Sequence, residues 1–200
     1  DAWQLFAVWA VLALPWTVVA AKDGLWALWL VIAATGLGFW SSVQLNLFGI
    51  FSPGLAGLWP QLLLWLPLWL LPGGLPHLKV CAIAQPRISR AVGAGVALGA
   101  WAGFGVMAVL QRDADWAVFG LASVLVAAVV AAAWRKRNIL VLGLGLMAAN
   151  ALWLVAVGHY LFSTLDWAGT GAFSLMTLVI AASVGASAHG LYRLQKEGAV

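Results

Sequence analysis

Charge is what this chain has least of, and none of it falls inside its long apolar stretches. Lys, Arg, Asp and Glu make up 8% of the 200 residues, against about 25% in a soluble domain. The sixteen charged residues, ten basic and six acidic, leave the uncharged runs 2–21, 24–78, 91–111, 116–134, 138–165 and 167–192. A charge near the bilayer centre costs about 2.5–3.5 kcal/mol on insertion scales. The pattern is that of a polytopic membrane protein. A soluble domain of this length could not hide a composition that is 64% hydrophobic.

Other absences exclude whole classes of function. No span contains a lysine, so there is no retinal Schiff base. None contains Asp or Glu, which a proton relay or an ion-coupled carrier normally uses. Cys81 is the single cysteine, so no intrachain disulfide forms. No Gly-rich phosphate loop, nucleophile elbow or HExxH motif occurs. The net charge of +4 is spread over short loops without a basic stripe, so no nucleic acid is expected as a partner. The expectation is a non-catalytic chain, and the sequence indicates no cofactor.

What is present is a topology. A helix needs about 20 apolar residues to cross the hydrocarbon core. Residues 2–21 fit one span; they carry no basic leader and no small-x-small cleavage site before Lys22, so they read as a retained span. Residues 24–78 fit two, with a turn near 41–46 (Ser41-Ser42-Val43-Gln44-Leu45-Asn46). The expected spans are 2–21, 24–41, 47–71, 91–110, 117–134, 139–162 and 170–192, in one transmembrane domain. With seven spans, Lys22, Lys79, Arg87, Arg90, Arg135, Lys136, Arg137, Arg193 and Lys196 share one side. Arg112 alone among the basic residues falls on the other, with Asp1, Asp113, Asp115 and Asp166. The positive-inside rule then puts the N-terminus outside and the C-terminus in the cytoplasm, in a bacterial inner membrane. If 24–78 crossed once, this asymmetry would collapse.

Within the spans, Gly95, Gly99 and Gly103 recur every four residues on one helix face and allow another backbone to approach. Gly185 in the last span repeats the theme between Ala181 and His189. Such faces pack either within the chain or against another subunit. Asn150 and Gln61 are the most polar intramembrane residues and suit interhelical hydrogen bonds or a substrate contact. Pro53, Pro60 and Pro67 kink or break the third span. Of fourteen Trp residues, Trp3, Trp40, Trp116 and Trp167 sit near outer span ends and Trp26 and Trp134 near inner ends, as an aromatic belt does. Trp59, Trp65, Trp69, Trp101 and Trp153 lie deeper and offer flat surface to lipid, a partner helix, a quinone or a pigment.

Metal ligands are sparse. His77 and Cys81 are four apart, and His189 ends the last span. These are the candidates, but two ligands do not make a structural metal site. The three histidines cannot converge on a heme, since His159 lies at the opposite membrane face from His77 and His189 by the topology.

The stretch Arg135-Lys136-Arg137-Asn138-Ile139-Leu140-Val141-Leu142, followed by Leu146-Met147-Ala148-Ala149-Asn150-Ala151-Leu152-Trp153, resembles part of the NnrS family of polytopic bacterial membrane proteins. Leu47-Phe48-Gly49 with Ala56-Gly57-Leu58 resembles that family's second span. Where the family has a His-x-His-Glu motif, this chain reads Ser42, Val43, Gln44 and Leu45. Its Gly-Gly-Arg motif is matched at best by Gly185-Ala186-Ser187, without the arginine. The resemblance implies a degenerate relative, and the family's heme and copper ligands are not carried over. Three readings follow: an accessory or scaffolding subunit of a larger respiratory or photosynthetic membrane complex; a small transporter or channel for a neutral solute; an NnrS-like heme or copper redox protein. The first is favoured, because few reactive groups sit among abundant Gly and Trp contact surface.

Overall fold

The computed structural model describes residues 2–44, 62–74, 86–110, 114–164 and 170–198. Hydrocarbon provides no partner for backbone polar groups, so only helices and closed barrels span it, and runs of this length select helices. Seven helices follow one another among the described residues: α1 (Ala2–Ala20), α2 (Asp23–Gln44), α3 (Leu66–Gly74), α4 (Ile88–Leu110), α5 (Trp116–Arg135), α6 (Ile139–Thr164) and α7 (Thr170–Gly198). No described residue is in a strand. All except α3 are long and apolar enough to cross a membrane. The protein is an all-α polytopic bundle. Of the expected third span, 47–71, only the part from Leu62 is described. The chain divides into two compact units, 1–100 and 101–200, with the division inside α4.

In the first unit, α1 and α2 form an antiparallel hairpin. Ala21 ends α1 in the left-handed region at φ 49°, at a cost of about 1–2 kcal/mol for a residue with a Cβ. The Lys22 carbonyl then accepts from the amides of Leu25 and Trp26 at 3.1 and 3.2 Å. Gly36 lets α1 approach closely; a Cβ there would lie 3.1 Å from Phe6 Cβ. One turn further, Phe39 stacks on Phe6 with centroids 5.6 Å apart. The indole of Trp29 donates to the Ala10 carbonyl at 2.8 Å, beside the Val11 carbonyl that Pro15 deprives of its helical donor.

Of the turn expected at 41–46, residues 41–44 are helical and residues 45–46 lie outside the described residues. Ser41 and Ser42 are buried and helical, and α2 runs on to Gln44. The Ser42 hydroxyl donates back to the Phe39 carbonyl at 2.8 Å, so its polarity is satisfied inside the helix instead of ending it. Residues 62–64 are helical, the helix breaks at Trp65 and it continues as α3. Pro67, whose missing N–H and bulky ring oppose the preceding turn, accounts for the break. Trp65 lies against Gly38 and Leu71 against Trp26. The chain therefore returns antiparallel to α2, towards Asp23.

At that end Asp23 joins two helix starts. It opens α2, and its carboxylate accepts from the amides of Ile88 at 2.6 Å and Ser89 at 3.0 Å, the first residues of α4. Both helix N-termini carry partial positive charge and unpaired N–H groups, so one anion serves two ends.

In the second unit, Val118, Ala122, Val126, Val129 and Ala133 form the buried stripe of α5, spaced three or four apart as a helix face requires. Asp115 caps α5 through the amides of Ala117 and Val118. Asn138 caps α6 through Val141 N at 3.2 Å. Between α5 and α6, Arg137 adopts φ 48°, where glycine is the usual residue. Helix α7 packs on α6, yet none of residues 174–193 is buried.

Asp23→Ala leaves two helix-start amides without their acceptor and should lower stability by about 1–2 kcal/mol. Asp23→Asn, keeping one acceptor oxygen, should lose less. Thermal unfolding in detergent, followed by tryptophan fluorescence, measures both; equal stability of all three proteins would refute the shared-cap role.

Candidate functional site

Three described polar side chains within the spans gather at one place in the second unit. Ser183 Oγ donates to Asn150 Oδ1 at 2.6 Å, and Asn150 Nδ2 donates to Ser187 Oγ at 3.0 Å. Ser187 Oγ in turn donates to the Ser183 carbonyl at 2.9 Å. Residues four apart share a helix face, so α7 presents two hydroxyls to the two ends of one amide. Interhelical bonds of this kind contribute about 0.6–2 kcal/mol in a bilayer. Donor and acceptor ends of Asn150 are both taken up, which makes the trio a fastener between α6 and α7. Sequence reasoning found Asn150 and missed its partners, although the i,i+4 pair of serines in an apolar helix was a readable signal. Gln61 lies outside the described residues.

The fastener also sets the rotation of α7. With Ser183 and Ser187 turned to α6, Ala181, Gly185 and Tyr192 fall on the far side at 100° per residue. Gly185 is exposed, and a Cβ built there would meet nothing within 4 Å. Gly99 and Gly103 in α4 are likewise exposed and open. Gly95, on the same face, is half-buried.

Close packing within the chain uses other glycines. A Cβ on Gly93 would strike the Leu68 carbonyl oxygen and lie 3.2 Å from Pro72 Cγ. On Gly105 it would lie 2.5 Å from Leu152 Cδ2, and on Gly145 2.7 Å from Val130 Cγ2. With Gly36 these share a pattern the four-residue spacing obscured: each belongs to a Gly-x-Gly pair, 36/38, 93/95, 103/105 or 143/145. Residues two apart on a helix point about 200° from each other. One glycine of each pair meets a close neighbour, and the other thins a different face.

The remaining candidates do not assemble. His77 and Cys81 lie outside the described residues. His189 is exposed on α7. No group of three His, Cys, Asp or Glu side chains stands together among the described residues. His159 packs edge-on against Trp116 with centroids 5.8 Å apart. It borders an open apolar groove of about 500 Å³ that includes Leu110, Leu154, Phe162 and Met176.

The tryptophans divide differently from the belt expectation. Trp26 is buried, set edge-on to Trp29 at 5.8 Å, because α1 and α3 close over it. Trp65 and Trp101 are core residues, whereas Trp153 faces outward. Trp116 and Trp134 are exposed at helix ends. Trp59 and Trp167 lie outside the described residues. No family model, no curated protein and no solved structure matches the chain.

Alanine at the two kinds of glycine should separate them. Gly93→Ala drives a methyl into backbone that cannot yield and should cost about 1–3 kcal/mol. Gly99→Ala and Gly185→Ala should be neutral or mildly stabilising, because alanine is the better helix former. Denaturation in mixed detergent micelles reports the difference; destabilisation by Gly185→Ala as large as by Gly93→Ala would contradict the assignment of faces.

Proposed function

We propose that this chain is a non-catalytic accessory or scaffolding subunit of a larger membrane complex, seated in a bacterial inner membrane and docking partner helices through its outward small-residue faces. The observation that carries this reading is the openness of Gly99, Gly103 and Gly185 while other glycines serve packing within the chain. Glycine in a helix interior is costly relative to alanine, and in lipid it gains that back only where a second backbone comes close. Lipid chains do not need such a face. Each unit also exposes large apolar side chains, Leu12, Trp16 and Val19 on α1 in the first and Leu178 on α7 in the second. A respiratory or photosynthetic complex suits this surface, since flat hydrophobic cofactors and many packed helices meet there. The asymmetry of basic residues supports an external N-terminus and a cytoplasmic C-terminus.

Native purification in mild detergent should bring down one or more membrane chains in fixed ratio, identified by mass spectrometry. Gly99→Leu combined with Gly103→Leu and Gly185→Leu should leave the chain folded and release those partners. A lone monomer with an intact fold would sink the proposal, and solute flux from that monomer in liposomes would favour a carrier. Orientation is read separately in a Cys81→Ser background: an impermeant maleimide applied outside should label Ala114→Cys and spare Glu197→Cys. The reverse pattern would overturn the assigned topology.

A further inference from the structure

At one end of the second unit the packing of α6 and α7 assembles a basic rim. Gly143 meets Leu191, Asn150 lies between Ser183 and Ser187, and Gly158 meets Met176. Each step up α6 is matched by an equal step down α7. Continuing this antiparallel register five residues past Gly143 and Leu191 brings Lys196 level with Asn138, about 7.5 Å further along the axis. Arg193 falls between these levels. The connection that precedes Asn138 carries Arg135, Lys136 and Arg137, all exposed, as are Arg193 and Lys196. Five cations drawn from two distant stretches of sequence thus share one axial level; Lys196, one turn beyond Tyr192, faces away from α6, which leaves Arg135, Lys136 and Arg137 as the cluster at the start of α6.

The rim sits where the apolar length of the helices ends. Trp134, 53% exposed, stands immediately on the membrane side of Arg135, and Ile139 and Leu140 are exposed just beyond Arg137. Exposed Trp and Tyr mark the headgroup level. The ligand that reaches these three adjacent cations at that level, next to apolar side chains, has an anionic head joined to acyl chains.

The connection is also rigid. Lys136 N donates to the Ala132 carbonyl at 3.1 Å, Arg137 N to Trp134 at 3.1 Å and Asn138 N to Ala133 at 3.0 Å. This winding requires the left-handed conformation at Arg137. Glycine satisfies it without strain, and arginine is present instead. A guanidinium is held there against the backbone's own preference.

We infer that the α5–α6 connection on this rim is a binding site for the headgroup of an anionic glycerophospholipid, with Arg135, Lys136 and Arg137 pairing its phosphate and Trp134 flanking its glycerol level. Guanidinium groups bind phosphate oxygens in pairs. A basic residue beside an anionic membrane surface is worth about fivefold in association.

The test compares lipid retention by the full chain in nanodiscs of phosphatidylcholine doped with phosphatidylglycerol, read by native mass spectrometry. Wild type should retain phosphatidylglycerol selectively. Arg135→Gln with Lys136→Gln and Arg137→Gly should cut that selectivity at least tenfold, while Lys22→Gln, in the other unit, should leave it unchanged. Arg137→Gly alone should lower selectivity several-fold and raise thermal stability, a pairing that a purely structural helix-end charge does not produce. Unchanged selectivity in the triple variant overturns the proposal, as does equal loss with Lys22→Gln. Full displacement of the lipid by millimolar inorganic phosphate would show a soluble anion site and also overturn it. So would loss of a co-purifying acidic chain from the triple variant without any change in lipid retention.

Discussion

A polar group left without a partner in hydrocarbon costs several kcal/mol, and the architecture of this protein follows from avoiding that cost. Backbone groups are satisfied by helix formation, except at the ends and at proline. At the ends, short polar side chains close the account: Asp23 for two helices, Asp115 and Asn138 for one each. Inside the spans, hydroxyls turn back onto their own helix, as Ser42, Thr35 and Ser123 do. Asn150 cannot be satisfied in that way and instead fastens α7 to α6.

With water excluded from both sides, contact between helices rests on shape. Glycines thin the helices where backbones cross, and the Gly-x-Gly pairs do so on nearly opposite faces of one helix. Each unit is held by such approaches, Gly36 and Gly93 in the first, Gly105 and Gly145 in the second. The faces left over are not random remnants. They carry Gly99 and Gly103, which recur with Gly95 every four residues, and Gly185 on α7. The proposed docking role and the lipid-binding rim occupy different surfaces. The small-residue faces meet hydrocarbon depth, whereas the basic rim meets the headgroups. A chain making both proposed contacts would be held laterally by its neighbours and in depth by anionic lipid.

Helical class was legible because only run length and charge placement enter it. The polar fastener was half legible: an amide in an apolar span is conspicuous, whereas serines are common in helices and become partners only through the register of α7. The turn placed at 41–46 includes Ser41 to Gln44, which are helical, because a serine that bonds its own helix does not end it. The packing glycines were the least legible. Spacing shows which residues share a face, but not which face has a neighbour.

The order of charged and uncharged residues alone was enough to establish the solvent, the helical class and the expected orientation, because the cost of burying a charge is large and acts on each residue separately. Which glycine is crossed, which tryptophan is core, and which cations from separate loops stand at one level depend on register and rotation between helices. Those are set by packing and a few hydrogen bonds between residues far apart in the chain, such as Asn150 with Ser183 and Ser187, and no local pattern encodes them.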